Sequence, residues 1–412
     1  MNLPSMFWRI VFSLLLTVTA LGVQSTNREQ AGAPVIEANV QYTFGRQIDF
    51  SAQVTADLPV KDAIIFIQSQ GETQTSVETA FVAPPGEITY SQDLSARPLR
   101  AFANIDYWFK IGFEDGTTFT SDHFTFFYAD NRFLWQTLES KPFRVHWYQG
   151  DMAFAQGVLD VAKAGQAHIQ EILPLPAPIE INLYIYASME EMQTTLRLAG
   201  QIWVAGHADP DLRIIVAAIP AGPEQHLITE QRVPHELMHI MLYQVMGNSY
   251  TNLPAWLNEG FASMAELSFN PDYNISLEDA IQEDRLIPIQ SLCPKFPVDA
   301  AGASLSYAES ALFTFYLYRT FGTSGLETLV ANYANGMGCE QSVQSALGKS
   351  LTELQAQWIK ANFSKPVSDS KSPQELGPWF IMLVIVIGIP FGLMLLSLRK
   401  GKKKIVKGAG LQ

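Results

Sequence analysis

Val233–Gln244 reads VPHELMHIMLYQ. On a helix, residues four apart share a face, so His235 and His239 can aim two imidazole nitrogens at one point. Glu236 directly follows His235 and lies one turn from His239. Its carboxylate can therefore reach a water on an ion held by the two rings. This is the HExxH pattern, two metal ligands with a general base between them. An ordinary buried helix could carry the same letters. The choice turns on a third ligand, because catalytic zinc keeps three protein ligands and one open position.

Working outward, NLPAWLNEGFASMAELSF (252–269) offers that ligand. Asn252 can cap a helix, Pro254 suits its first turn, and the apolar residues recur at helical spacing. Glu259 sits mid-helix among Trp256, Leu257 and Phe261. A carboxylate there is costly to bury without a partner, and a dication would be one. The alternative is a solvated glutamate on an amphipathic face. Nineteen residues separate Glu259 from His239, enough for a turn and a return.

HELMH followed by WLNEGFA resembles the gluzincin metallopeptidases, which include thermolysin-like and M1 enzymes. The chain looks most like the bacterial peptidase MA-like domains, over residues 135–365. The resemblance implies one zinc ion held by His235, His239 and Glu259, with Glu236 as general base. SYAESALFTFYLYRTFG (306–322) is similar to the M1 helix whose tyrosine donates to the developing oxyanion, which implies that role for Tyr307. A phenol suits it, being a neutral donor at pH 7. Packing is the other reading of Tyr307. Two departures bear on activity. IIVAAIPAGPEQ (214–225) lacks the GxMEN strand by which M1 aminopeptidases hold a free amine, so an endopeptidase is expected. Ser263 stands where thermolysin-like enzymes place an aspartate to orient a histidine; Glu266 either takes that task or is solvated. His123, His146, His168 and His226 are read as structural. His207 precedes RIIVAAI (213–219), expected to be the edge strand on which a peptide could pair, and could touch substrate.

From about Val35 to Tyr128 the pattern has period two. VQYTF (40–44), IDFSAQV (48–54), AIIFIQS (63–69), EITYS (87–91), YWFKIGF (107–113) and HFTFFYA (123–129) are strand candidates, and Asp115-Gly116 signals a hairpin. An all-β sandwich of immunoglobulin or fibronectin type is expected over 35–131, in an accessory role. Strands at 143–148, 179–186 and 213–219 then mix with helices at 151–173 and 188–198, and from Leu227 onward the long segments read as helix. An α+β domain with a helical C-terminal half is expected over 135–365. Cys293 and Cys339 are the two cysteines. They can pair in an oxidising compartment or stay free, and spacing does not decide.

The ends carry targeting signals. Residues 1–25 have one cation, an apolar run and small residues near Ala20, as a signal peptide does. Trp379–Leu398 is twenty residues without charge, about 30 Å as a helix, and six cations follow within 399–412. One transmembrane helix is expected over 379–398, after a linker at 366–378, with a basic cytoplasmic tail and everything before it outside. The chain has 27 Lys and Arg against 40 Asp and Glu. Without the two ends, 20 cations face 40 acids, a net charge near −20. Such a surface argues against nucleic acid as a partner. The expectation is a membrane-anchored extracytoplasmic zinc peptidase acting on peptides or proteins. The competing class is a catalytically silent, metal-stabilised scaffold at the cell surface.

Overall fold

The computed structural model describes residues 34–196 and 206–363. The expected signal peptide, linker, membrane span and basic tail lie outside the described residues. Among those described, no helix is long and apolar enough to cross a membrane. Among the described residues the chain divides into two compact units, one of residues 34–134 with 193–196, the other of residues 135–192 and 206–363.

The first unit is antiparallel. Its strands are β1 (Val35–Thr43), β2 (Gln47–Thr55), β3 (Val60–Ser69), β4 (Ser76–Ala83), β5 (Glu87–Asp93), β6 (Asn104–Phe113), β7 (Thr118–Thr120) and β8 (Phe124–Phe127). They run in the order β1-β2-β5-β4-β3-β6-β7, and β8 also pairs with β6. Strand β4 joins two halves: Ser76–Ala80 pair with β3, Phe81–Ala83 with β5. The two halves fold face to face: Phe50 of β2 meets Tyr107 of β6 at 5.0 Å between ring centroids, although three strands separate β2 from β6 in the order. Alternation drives this. Ile48, Phe50, Ala52 and Val54, with Ala63, Ile65 and Ile67 and with Ile105, Phe109 and Ile111, are buried every second residue. The expected Asp115-Gly116 hairpin is present, with Gly116 at φ 83 and Phe113 bonded to Thr117 across it. Strand β4 escaped the sequence reading because its polar residues interrupt the alternation.

The second unit holds a five-stranded sheet in the order β12-β13-β11-β10-β9. Its strands are β9 (Gln136–Ser140), β10 (Phe143–Trp147), β11 (Ile181–Tyr186), β12 (Gly206–Asp209) and β13 (Ile214–Ala218). Strands β10, β11 and β13 are parallel, and β9 and β12 are antiparallel edges. RIIVAAI is therefore an interior strand, and the edge is β12, which contains His207. The expectation placed the edge one strand too far in. The continuous burial of Ile214–Ala218 is that of a strand covered on both faces of its sheet.

Helix α1 (Met152–Ile172) starts where Asp151 caps the Phe154 N–H at 3.0 Å. It is followed by α2 (Met189–Leu196), α3 (Gln225–Met246), α4 (Ala255–Ala265), α5 (Asp272–Gln282), α6 (Ala300–Ala334), α7 (Cys339–Leu347) and α8 (Leu351–Phe363). Helix α6 is broken at Gly322, whose φ is 68. Trp256, Phe313 and Trp358 anchor the helical core. Helices α4 and α6 approach closely at Gly260: a Cβ there would lie 2.7 Å from the Ser310 carbonyl and closer to Thr314. Cys293 and Cys339 form a disulfide, so the pairing left open by spacing is made.

Candidate metal centre

Helix α3 carries His235, Glu236 and His239, and α4 carries Glu259. Nε2 of His235 lies 3.4 Å from Oε2 of Glu259, and Nε2 of His239 lies 3.9 Å from the same oxygen. The rings stand at 77° with centroids 5.3 Å apart. One donor atom from each residue falls within 4.8 Å of the others, and among the described residues this is the group that could hold a metal ion. Donors about 2.1 Å from a tetrahedral ion sit roughly 3.4 Å from one another. Two imidazoles and a carboxylate at these separations fit zinc in both chemistry and spacing.

The Nδ1 atoms face away from Glu259 and are held by other partners. Nδ1 of His235 lies 3.0 Å from Oε1 of Glu266. The carboxylate expected to be either an orienting group or solvated is thus in contact with the ring, and Ser263 is buried within α4. Glu266 is the C-cap of α4 rather than part of the helix. Pro234 helps hold it there. Proline has no N–H, so the Glu230 carbonyl, four residues back in α3, loses its helical donor. It accepts the N–H of Leu267 at 3.0 Å instead, which pins the chain one residue beyond Glu266. Gly165 of α1 admits this proline, since a Cβ there would lie 2.9 Å from the ring.

Nδ1 of His239 lies 3.2 Å from Oδ1 of Asn258 and 3.1 Å from the Tyr250 hydroxyl, which donates to the same amide oxygen at 3.0 Å. Tyr250 belongs to a 3-10 turn, Gly247–Asn252. Asn252 ends that turn and bonds to the Tyr333 carbonyl. It does not cap α4 as expected; Pro254 holds that position.

Glu236 is buried. The N–H of Ala208 in β12 donates to its carboxylate. Gly206 lies against it: a Cβ on Gly206 would stand 2.6 Å from Oε1. Gly206 and Ala208 therefore share the sheet face toward Glu236, and alternation turns His207 to the other face. The other histidines have structural partners. His123 stacks on Trp108, His146 bonds to Asn182, His168 to the Met264 carbonyl, and His226 to Glu230.

Burial dominates the electrostatics, and the neighbours then sort the groups. Burial would raise Glu259, but His239 and His235 outweigh it and hold the carboxyl below its usual range. Burial raises Glu236 against the pull of both histidines, and raises Glu266 against that of His235. Burial opposes a charge on His235, yet Glu259 and Glu266 raise its pKa well above the ordinary value. Tyr307, on α6, is raised by burial and then by the charges of Glu259 and Glu236. Its ring meets Phe296 edge-on at 5.1 Å. Tyr273 of α5 is also nearby. Burial and the charge of Glu266 push it to about 12.

Sequence reasoning missed Asn258, Tyr250, Gly206 and Pro234. Asn258 and Pro234 carried a faint signal, since each adjoins a ligand. Tyr250 and Gly206 carried none.

No curated protein matches the chain. Solved structures with partial likeness include a carbohydrate-binding module of family 56, a beta-1,3-glucan binding domain. It is 10% identical over 22% of this chain and 98% of that one, with a TM-score of 0.17. A myokine structure is 15% identical over 24% and 96%, with a TM-score of 0.20. Purple acid phosphatase PPD1 from yellow lupin (Lupinus luteus) seeds is 13% identical over 50% and 40%, with a TM-score of 0.20. Scores this low carry no argument. Residues 161–363, a stretch that contains the whole His235–His239–Glu259 group, match the model of the Peptidase MA superfamily, which supports a peptidase MA-like domain there.

Proposed function

We propose that the chain is a zinc-dependent peptidase, anchored on the extracytoplasmic side of a membrane by Trp379–Leu398, that cuts internal bonds of peptide or protein substrates. The observation that carries this is the convergence of His235, His239 and Glu259, from two helices, with Glu236 beside them. Zinc bound by those three residues would supply Lewis acidity toward a water and a scissile carbonyl. The protein's own groups do the rest. Glu236 takes the proton of the attacking water and returns it to the leaving amine. Its burial favours the protonated form, which suits that second step. Tyr307, neutral and half-buried, donates to the oxygen that gains charge. Glu266 and Asn258 hold the two imidazoles. The absence of an amine-anchoring motif in 214–225 supports endopeptidase over aminopeptidase action. The twenty uncharged residues before six cations support the anchor and the outside placement of the domain.

The test is hydrolysis of a mixed peptide library by the full chain, with metal content measured on the same sample. One zinc per chain is expected, and Glu236→Gln should keep that zinc while losing activity by about 10²–10⁴-fold. Glu236→Gln as active as the parent would remove the residue from the mechanism. A parent that holds zinc and cuts nothing would leave the scaffold reading.

A further inference from the structure

Arg232 lies one helical turn before Glu236 on α3, so the two side chains share a face. Both reach the sheet. Glu236 rests against Gly206 of β12, and Nη1 of Arg232 donates to the Ala218 carbonyl at the end of β13. Gly206 pairs with Ala217 across those strands. The two sheet positions are therefore one strand and one residue apart, roughly 6 Å. The guanidinium thus flanks the base, one turn toward the start of α3. Its charge has no partner of its own. Among the described residues its one side-chain hydrogen bond is that to Ala218, and no carboxylate forms an ion pair with it. Glu230, two residues earlier, pairs with His226. Arg232 is partly buried. Burial lowers its pKa, and the charge of Glu236 works the other way. A guanidinium carries five N–H donors, of which one meets Ala218. The edge formed by Nε and Nη2 has no protein acceptor, and that edge matches the two oxygens of a carboxylate. A partly buried cation without an anion is costly, and here the cost falls beside the reacting group.

We propose that Arg232 is a specificity-determining residue that binds a carboxylate of the substrate close to the scissile bond. This rests on the reading of the domain as a peptidase with Glu236 as its base. An extended peptide advances about 3.4 Å per residue, so a group roughly 6 Å from the base lies within two residues of the bond that is cut. The carboxylate comes either from an aspartate or glutamate side chain at such a position or from the C-terminus of a short peptide. The part of the chain between its two ends is acidic overall, so it exerts no general attraction on acidic peptides. The preference is therefore confined to the positions that Arg232 can reach.

The experiment measures cleavage of matched peptides by the zinc-loaded full chain, the cut first being located by mass spectrometry on a mixed library. One set of pairs has both ends blocked and differs only in Glu or Gln at each position within two residues of the cut. A further pair, neutral in its side chains, differs in a free or an amidated C-terminus. In at least one pair the carboxylate peptide should show a kcat/KM about 10- to 100-fold above its neutral mate, the size of a charge-assisted hydrogen bond. Which pair shows it identifies the source of the carboxylate. A glutamate moved four residues from the cut should give no gain. Arg232→Met, which keeps an apolar stem and removes the fork, should abolish the difference while zinc content is unchanged. Equal slowing of both members of the pair, with the difference kept, would mean that Arg232 only holds the end of β13 and would overturn the inference. So would a parent without preference in any pair, a result that depends on no variant and leaves the peptidase reading intact. A parent that cuts no peptide would remove the peptidase reading and this specificity with it.

Discussion

Gly206 shows how a single residue sets the position of the base. It contributes no chemistry, yet only a hydrogen fits between its backbone and Oε1 of Glu236. A Cβ at 2.6 Å would push the end of a flexible side chain, which can yield without unfolding the domain. Gly206→Ala should therefore displace the carboxylate and leave the three ligands in place. Hydrolysis should fall by about 100-fold, as a misplacement near 1 Å can cause, with zinc content unchanged. Peptide hydrolysis and metal analysis on one preparation check this; full activity would mean that Glu236 has room to spare. His235, Glu236, His239 and Glu259 were legible beforehand because helical periodicity is local, and because a carboxylate among apolar residues calls for a partner. Glu266 was legible only as a choice between two roles, since its contact with His235 depends on where α4 ends.

At the scale of elements, α6 carries two different acids. Tyr307 is only partly buried and packs on Phe296, whereas Glu309 is fully buried and accepts the Ile287 N–H by Oε1 at 2.8 Å. Its Oε2 is buried with no hydrogen-bond partner among the described residues. Burial, opposed only by that bond, pushes the carboxyl from 4.5 to about 7. The sign follows from proton binding. Between about pH 4.5 and 7 the folded chain holds a proton that the unfolded chain has released, so stability falls as pH rises through that window and is level above it. A displacement of this size is worth on the order of 3 kcal/mol. Denaturant unfolding at about pH 5 and pH 8 should show the loss, and Glu309→Gln should remove most of the difference. An equal slope in the variant would assign the pH dependence to other groups. The same scale explains two misplacements in the sequence reading. A buried run such as Ile214–Ala218 does not reveal which neighbour is the edge, and Asn252 before a proline resembles a cap whether or not the helix starts there.

For the whole domain, the disulfide is the longest-range covalent tie. It joins residues 46 apart in sequence, and the Cys293 carbonyl accepts the first N–H of α4, from Ala255, at 3.0 Å. The bridge therefore fastens α7 to the segment that starts the helix bearing Glu259. Replacing both cysteines by serine should lower stability by about 2–4 kcal/mol, as expected for a loop of this length. Comparing unfolding of the parent and the double variant tests it, and a change within error would mean that packing alone holds this segment. Period two over the first unit and period 3.6 over much of the second were enough to read β-sandwich-like sheets followed by a helical α+β domain. The HExxH letters and a distant glutamate were enough to name three residues that converge and could hold a metal ion. These are properties of neighbours in sequence, which alternation and helix geometry convert directly into faces. Tertiary structure alone decided that Cys293 meets Cys339, that β12 is the edge beside Glu236, and that Asn258 and Tyr250 support His239. Each of those contacts joins residues whose separation in the chain carries no period, and only the packing of α3, α4 and the sheet against one another brings them within reach.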